Sequence, residues 1–377
     1  VDQTNPPPNR PARLSVVIVN YRSWGDVVRL ASTLAAAPEL VGGQCRLIVV
    51  DNASPEPVPA DFDDPPPGVQ LLRLSRNQGF AAGVNAGWRS AGSPWLLVLN
   101  PDVVPGPDLL AEVLTRLDRL EREDKNRGRV GVVGFGLRNP DGSRQPSVGA
   151  FPGLLRTVWE QVIPRHRRKY QPDWRVRPGR VDWVTGACML VSSDLLAELG
   201  GMDRDFFLYY EEVALCRSAA DRGWRVEYDP GVRVVHLRPL QNRPISPKMR
   251  VITRHSKLLY FRKHRPRWEF GALLGLVRVE ARLRVALGKL RGQRGVVRAW
   301  RAVERVARLM AAGADPRGAA ILELADAAEA SSDEPEGHPP RRVATSSQRR
   351  RRGHVPNPVV GGLRGARPVP KRKDGSA

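Results

Sequence analysis

Hydrophobic positions in the first half of the chain follow two alternating patterns. Short, nearly continuous and largely β-branched runs occur at residues 14–20 (LSVVIVN), in RLIVVD ending at Asp51, at 69–74 (VQLLRL), at 95–100 (WLLVLN) and in VGVVGF from Val130. Runs of this kind read as strands buried on both faces. The segments between them carry helical spacing: Gly25 to about Ala37, Phe80–Ala91, and 107–122, where Leu109, Leu110, Val113, Leu114 and Leu117 share one face. Strands alternating with helices predict an α/β fold on a mainly parallel sheet, with right-handed crossovers and flanking helices.

The pattern changes after this point. Asn139-Pro140-Asp141-Gly142 predicts a hairpin turn, and the polar, Arg- and Pro-rich residues 164–180 predict a mobile loop. Order is expected again in VDWVTGACMLVS (181–192), in a helix from near Glu211 to Gly223, and in the strands WRVEYDP and VRVVH. Beyond Pro239 two basic helical stretches are expected, at about 245–263 and 268–312. The predicted organisation is a disordered N-terminus (1–12), an α/β domain (13–240), a basic helical extension (241–312) and a mostly disordered basic tail (313–377).

A formal charge of +22 suggests a nucleic-acid binder until it is divided along the chain. Residues 1–240 hold 30 Lys+Arg against 28 Asp+Glu, whereas residues 241–310 hold 19 against 3. A nearly neutral domain therefore carries a basic appendage, and helix-turn-helix, zinc and RNP patterns are absent, so no specific nucleic acid is expected. Cys45, Cys188 and Cys216 are isolated, which argues against a disulfide framework or structural zinc and suits a reducing compartment. Neither an apolar signal region nor a run of about 18 apolar residues occurs, so no signal peptide or membrane span is expected.

Ligands bind parallel sheets at the carboxyl ends of the strands, and here these ends are polar: Asn20-Tyr21, Asp51-Asn52, Asn77 and Asn100-Pro101-Asp102. A carboxylate so placed can accept from a base or ribose, or hold a divalent cation beside a diphosphate. Asp and Asn also favour loops, but their recurrence at successive strand ends favours a site. The spacings GxxxxGK[ST] and GxGxxG do not occur, which speaks against a P-loop or a dinucleotide site. In RNQGFAAGVNAG (76–87), Gly79 permits a tight loop and Gly83 a close approach to a neighbour or ligand. A second cluster, FFLYYEEVALCRSAADRGW (206–224), puts Glu211 and Glu212 at a helix start behind aromatic residues. Desolvation there suits a general base, but acids also complement a helix dipole, and the residues alone leave both readings open. His236 ends the last strand, and a lone histidine there is more often a structural residue than a ligand.

Taken in order, SVVIVNYRSW, LIVVDNAS, LSRNQGFAAGVNAG, WLLVLNPDV, VDWVTGACMLVSSDLL, GGMDRDFFLYYEEVALCRSAADRGW and VRVVH resemble the inverting family 2 glycosyltransferases of GT-A fold, in particular their rhamnosyltransferase-like branch. The resemblance covers about residues 13–264. It implies that Asn20, Tyr21 and Asp51 line a nucleotide pocket, with Asn77, Gly79 and Asn85 nearby. It further implies that Asp102, in an NPD that replaces DxD, holds Mg²⁺ or Mn²⁺ against the donor diphosphate, with His236 as a second ligand. Trp183, Thr185 and Gly186 would face the acceptor. Where the family reads Glu-Asp-x-Asp this chain has Glu211-Glu212-Val213-Ala214, so the base carboxylate of Glu212 sits one methylene further out and a second acid is lost.

The implied reaction is transfer from a nucleoside diphosphate-sugar, best matched by dTDP-rhamnose, with Glu212 deprotonating the acceptor hydroxyl. A polyprenyl-diphosphate-linked or polysaccharide acceptor is implied, which places the protein in the cytoplasm at the inner face of the plasma membrane. The segment 268–313, with Phe270, Leu273, Leu274, Leu276 and Val277 among arginines, is expected to dock as an amphipathic helix on an anionic membrane surface. The competing expectation is packing on the domain or on a second subunit, as in a homo-oligomer. A nucleotidyltransferase, or a non-catalytic relative that only binds, are the alternatives in function.

Overall fold

Strand β1 (Leu14–Asn20) is buried along its whole length because parallel neighbours flank it on both edges, β2 (Cys45–Asp51) and β4 (Trp95–Leu99). Between them the chain forms α1 (Trp24–Ala35), the short α2 (Pro38–Val41), β3 (Val69–Arg73) and α3 (Phe80–Ala91). Next come β5 (Val103–Pro105), α4 (Leu109–Arg122), β6 (Val130–Arg138), β7 (Arg144–Gln145), β8 (Val148–Gly149) and α5 (Leu154–Trp159). They are followed by β9 (Gly179–Arg180), β10 (Trp183–Val184), β11 (Cys188–Ser192), α6 (Ser193–Leu199), α7 (Glu211–Asp221) and β12 (Arg225–His236). Four helices complete the described residues: α8 (Pro247–His264), α9 (Arg267–Leu290), α10 (Arg294–Ala311) and α11 (Ala320–Glu329). This computed structural model describes residues 12–123, 128–159, 177–238 and 245–329. The expected disordered N-terminus, most of the expected loop at 164–180, and the chain beyond 329 lie outside the described residues.

The sheet runs β3-β2-β1-β4-β11-β6-β12-β5. Its first half is parallel, as the alternating pattern predicts, but β11 enters antiparallel to both β4 and β6. The expected hairpin forms at residues 139–143, where β6 and β7 pair. The two expected closing strands are one continuous strand, β12, with a register shift between Asp229 and Arg233. Period-two alternation sends successive strand residues to opposite sides. Val17, Val19, Ile48, Val50 and Val98 enter the core shared with α3, α7 and the C-terminal helices; Val16, Ile18, Leu47, Val49 and Leu97 enter the core under α1 and α4. Helix α3 lies unusually close to β1, since a Cβ on Gly83 or Gly87 would come within 2.5 Å of Val19 or 2.6 Å of Val17. The reading of Gly83 as close packing is therefore met by a strand. All three cysteines are buried and unpaired, with burial pushing the Cys45 and Cys216 thiols up to about 12.

The C-terminal region departs from its expected form. Three helices, not two, fill the basic extension, because Gly292-Gln293 breaks the second stretch. Residues assigned to the disordered tail include α11, whose Ile321, Ala325 and Ala328 are buried in the same core as α8. Helix α8 starts cleanly: Pro247 takes the first position and the Ser246 hydroxyl accepts from Met249 N–H (3.1 Å). Leu258, Leu259, Tyr260 and Phe261 are then completely enclosed. The apolar set expected to meet a membrane is also largely inward, with Leu273, Leu274 and Val277 buried in this core. Packing on the domain, the competing expectation, holds for that set.

His255, fully enclosed on α8, has its pKa lowered from about 6.5 to about 4, because burial penalises the charged ring. Its depressed value means that the stability it contributes is complete above about pH 6.5 and is lost as pH falls toward 4. Thermal melts from pH 7 to pH 5 should therefore lose about 2 kcal/mol through this group. His255→Gln should remove that part of the slope; an unchanged slope would exclude His255 as its source.

Candidate active site

The strand order reverses between β1 and β4, and a crevice opens outside the carboxyl ends of strands at such a switch point. Asn20 and Asp51 are register partners at the ends of β1 and β2, both fully buried. Asn20 Nδ2 donates to Asp51 Oδ1 (3.0 Å) and Ser54 Oγ (3.1 Å), while Asn20 Oδ1 accepts from Ser23 N–H (3.1 Å). Asp51 Oδ1 also takes the Ser54 N–H (3.2 Å), whereas Oδ2 accepts no hydrogen bond among the described residues and has Arg73 Nε 3.6 Å away. A buried carboxylate oxygen with unused lone pairs is a ready acceptor for a ligand N–H or O–H. Tyr21, directly after β1, is 41% exposed and so presents its ring at the mouth.

Asn52 ties this corner to the next loop: its amide donates to Gly79 O (2.9 Å) and its carbonyl accepts from Gln78 N–H (3.1 Å). Asn77 Oδ1 accepts from Gly79 N–H (3.0 Å). Gly79 has φ +92°, and a Cβ there would lie 2.2 Å from Phe207 O, so only glycine fits. Asn85 is placed differently from expectation. It is 1% exposed and both ends of its amide bind the Met202 backbone at 2.7 Å, so it fastens α3 to the loop after α6.

At the other edge of the crevice, Asp102 Oδ1 lies 3.3 Å from His236 Nε2, and the Arg238 guanidinium reaches from Asp102 Oδ2 (3.7 Å) to Asp26 of α1. The pairing of β5 with β12 brings residues so distant in sequence together. Gln145 stands behind the histidine, its amide nitrogen 2.9 Å from His236 Nδ1. Its two amide orientations correspond to two tautomers: one leaves Nε2–H donating to Asp102, the other leaves Nε2 with a lone pair. In the second, Asp102 and His236 offer oxygen and nitrogen side by side, a donor pair that fits Mg²⁺ or Mn²⁺. No third His, Cys, Asp or Glu joins them among the described residues, so phosphate oxygens and water would complete the coordination.

Glu211 and Glu212 open α7, 5% and 6% exposed. The helix has no side-chain cap; its entry is set by Tyr209 and Tyr210, both left-handed at φ +69° and +70°. Among the described residues the only other non-glycine positive-φ positions are Arg22 and Ala53, which follow β1 and β2. Such strain costs on the order of 1–3 kcal/mol per residue and clusters at functional sites. Packing holds the tyrosine turn from two directions. Phe207 O accepts from Phe80 N–H (3.0 Å), and Leu208 O accepts from Ser256 Oγ of α8 (2.8 Å). Tyr210 packs tilted on Tyr260 with ring centroids 5.8 Å apart.

The expected acceptor residues divide. Trp183 is fully buried with its indole N–H on Ala150 O (2.9 Å), so it cannot face an acceptor and is corrected to a core residue. Thr185 and Gly186 are partly exposed, and a Cβ on Gly186 would lie 3.9 Å from Glu212 Cβ, which sets this loop against the α7 carboxylate. Sequence reasoning missed Gln145, Arg238, Ser54 and the strained tyrosines. Only Gln145, directly after the predicted hairpin, carried a local signal.

A family model described as "Glycosyltransferase like family 2" matches residues 11–270. The chain belongs to that family. It is 31% identical over 244 residues to the N-acetylglucosaminyl-diphospho-decaprenol L-rhamnosyltransferase of Mycobacterium tuberculosis, covering 59% of this chain and 75% of that protein. Rhamnosyltransferase WbbL of Escherichia coli is 25% identical over 167 residues, covering 44% and 61%. Among solved structures, mannosyltransferase PcManGT of Pyrobaculum calidifontis, in complex with GDP-Man and Mn²⁺, aligns at TM-score 0.45 and 18% identity, covering 88% of this chain and 84% of that one.

The two supports of the tyrosine turn can be compared in this glycosyltransferase by urea denaturation. Ser256→Ala leaves Leu208 O without its partner and should lower stability by about 1 kcal/mol. Gly79→Ala adds a left-handed φ and a backbone clash and should lower it by more, on the order of 2 kcal/mol. A neutral Gly79→Ala would show that the loop does not bear on Phe207.

Proposed function

We propose that the enzyme transfers a sugar with inversion, rhamnose from a dTDP-linked donor, onto a hydroxyl of a polyprenyl-diphosphate-linked sugar in bacterial wall or polysaccharide assembly. The observation that carries this reading is the presence of two carboxylates equipped for different work. Asp102 is held against a histidine at a strand end, and Glu212 is buried at a helix start against the partly exposed Gly186 loop. The names of the Mycobacterium tuberculosis and Escherichia coli relatives support the choice of sugar, and the former also the class of acceptor.

In this reading Asp51 and Asn20 bind the nucleotide, with the unused Asp51 Oδ2 accepting from base or ribose. Asp102 and His236 would hold Mg²⁺ or Mn²⁺, which when bound supplies Lewis-acid neutralisation of the leaving diphosphate. Arg238, shared between Asp102 and Asp26 at the surface, turns toward the same phosphates and adds positive charge there. Glu212 accepts the acceptor hydroxyl proton as that oxygen bonds to the anomeric carbon. The bond from that carbon to the diphosphate oxygen breaks with its electron pair leaving on the diphosphate. A lipid-linked acceptor brings the enzyme to the inner face of the plasma membrane as a peripheral protein; no described helix is long and apolar enough to cross a membrane.

Release of nucleoside diphosphate from dTDP-rhamnose, followed with a short-chain polyprenyl-diphospho-sugar, tests the reading; pyrophosphate release from a triphosphate would instead indicate a nucleotidyltransferase. Glu212→Gln keeps size and hydrogen bonding but cannot take the proton, so turnover should fall roughly 10²–10⁴-fold with donor affinity nearly unchanged. If Glu211→Gln is the damaging change and Glu212→Gln is mild, the base is misassigned. Asp102→Asn should weaken both donor binding and Mn²⁺ binding measured calorimetrically. Full turnover in excess chelator would remove the cation from the scheme.

A further inference from the structure

Helix α9 turns outward a face that no described part of the chain covers. Trp268, Leu276, Val279, Leu283, Leu287 and Leu290 are 44–84% exposed. At about 100° per residue they lie along one side of the helix, with the small residues Gly275 and Ala286 between them. Of the apolar set singled out in the sequence, Leu273, Leu274 and Val277 are buried and Leu276 alone belongs to this outer stripe. Contiguous exposed apolar surface of this kind marks an interaction site.

The charges bordering the stripe say what it meets. Lys289 and Arg282, the latter paired with Glu304 of α10 at 3.1 Å, lie along one edge and Arg284 and Arg291 along the other, all exposed. The acids of α9 are both engaged: Glu269 with Arg265 at 2.5 Å and Glu280 with Arg254 at 2.9 Å. A second copy of this face would oppose arginines to arginines, whereas an anionic surface complements both the stripe and its borders. Helix α5 extends the apolar surface. Its start is fastened to α9 by Leu154 N–H donating to Glu269 Oε2 (3.0 Å), and it exposes Leu155 (87%) and Trp159 (67%). Just before it, Phe151 N–H donates to Asp182, the neighbour of Trp183, so the surface begins beside the loop carrying Thr185 and Gly186.

We propose that the outer stripe of α9, continued by α5, seats the enzyme on an anionic bilayer, the leucines in the acyl boundary and the basic borders among lipid phosphates. This rests on the reading of a lipid-linked acceptor, whose sugar would emerge from the bilayer next to the Gly186 loop. Co-sedimentation of the full chain with phosphatidylcholine vesicles, with and without phosphatidylglycerol, tests it. Binding should require the anionic lipid, and Leu283→Glu combined with Leu287→Glu should weaken it about tenfold or more. Both positions are exposed, so the melting temperature and transfer to a water-soluble acceptor should be unchanged. Binding is read without turnover, so the docking face and the transferase reading fail separately. Vesicle binding that is undiminished in the double variant would overturn the assignment in favour of the basic chain beyond 329. A dimer in sedimentation velocity that the double variant dissolves, without vesicle binding, would overturn it in favour of self-association.

Discussion

The site depends on one strained turn. Tyr209 and Tyr210 both hold left-handed backbone conformations at the entry to α7, and they aim Glu211 and Glu212. Neither residue has glycine's freedom, so neighbours must maintain the geometry. Gly79 allows the Arg76–Phe80 loop to press on Phe207, and α8 binds Leu208 through Ser256 and stacks Tyr260 under Tyr210. The corner at the ends of β1 and β2 is joined to the same turn, because Asn52 holds the Gly79 loop through two hydrogen bonds. A change at the end of β2 is therefore felt at the start of α7 through a short chain of backbone contacts.

The C-terminal helices consequently have a structural duty that their composition hides. The 19 basic residues against 3 acidic ones in residues 241–310 suggest an appendage, yet Leu258, Leu259, Tyr260 and Phe261 of α8 are completely enclosed. The arginines there are not all solvent charges. Arg250, Arg254 and Arg284 lie 5.4–5.9 Å from the Trp300 ring centroid, contacts in which a guanidinium covers apolar surface while keeping its charge. A sequence count treats each arginine as equal, whereas packing sets some over the core and others along the outer face of α9, with Arg284 serving both.

The parallel half of the fold was legible because each strand there is buried on both faces, and a short β-branched run has few other uses. The strand-end residues Asn20, Asp51 and Asp102 were legible for the same reason: the end of such a run fixes where a side chain must be. Residues whose role depends on a distant partner were not. Asn85 and Trp183 sit in motifs that read as site residues, but Met202 and Ala150 claim their polar atoms from loops no local pattern could bring near. Arg238 lies near Asp102 only because β12 pairs with β5 across more than a hundred residues. Helix α11 was not foreseen because it is short and alanine-rich, with too little apolar mass to register until α8 supplies its other side.

The misreading of α9 has a more specific cause. Apolar residues at 273, 274, 276 and 277 fall close together, and a sequence pattern cannot tell whether such a cluster makes one broad face or two. Helical geometry separates them, since 273, 274 and 277 share a side and 276 joins 279 and 283 on another. A helix with one apolar face is finished once that face meets a core. Helix α9 has two, and folding satisfies only the one that α8 and α10 can reach. The other is retained at a cost in solubility that the bordering arginines offset. A surface of that construction, apolar along its centre and basic along both margins, complements a partner that is itself apolar beneath an anionic skin.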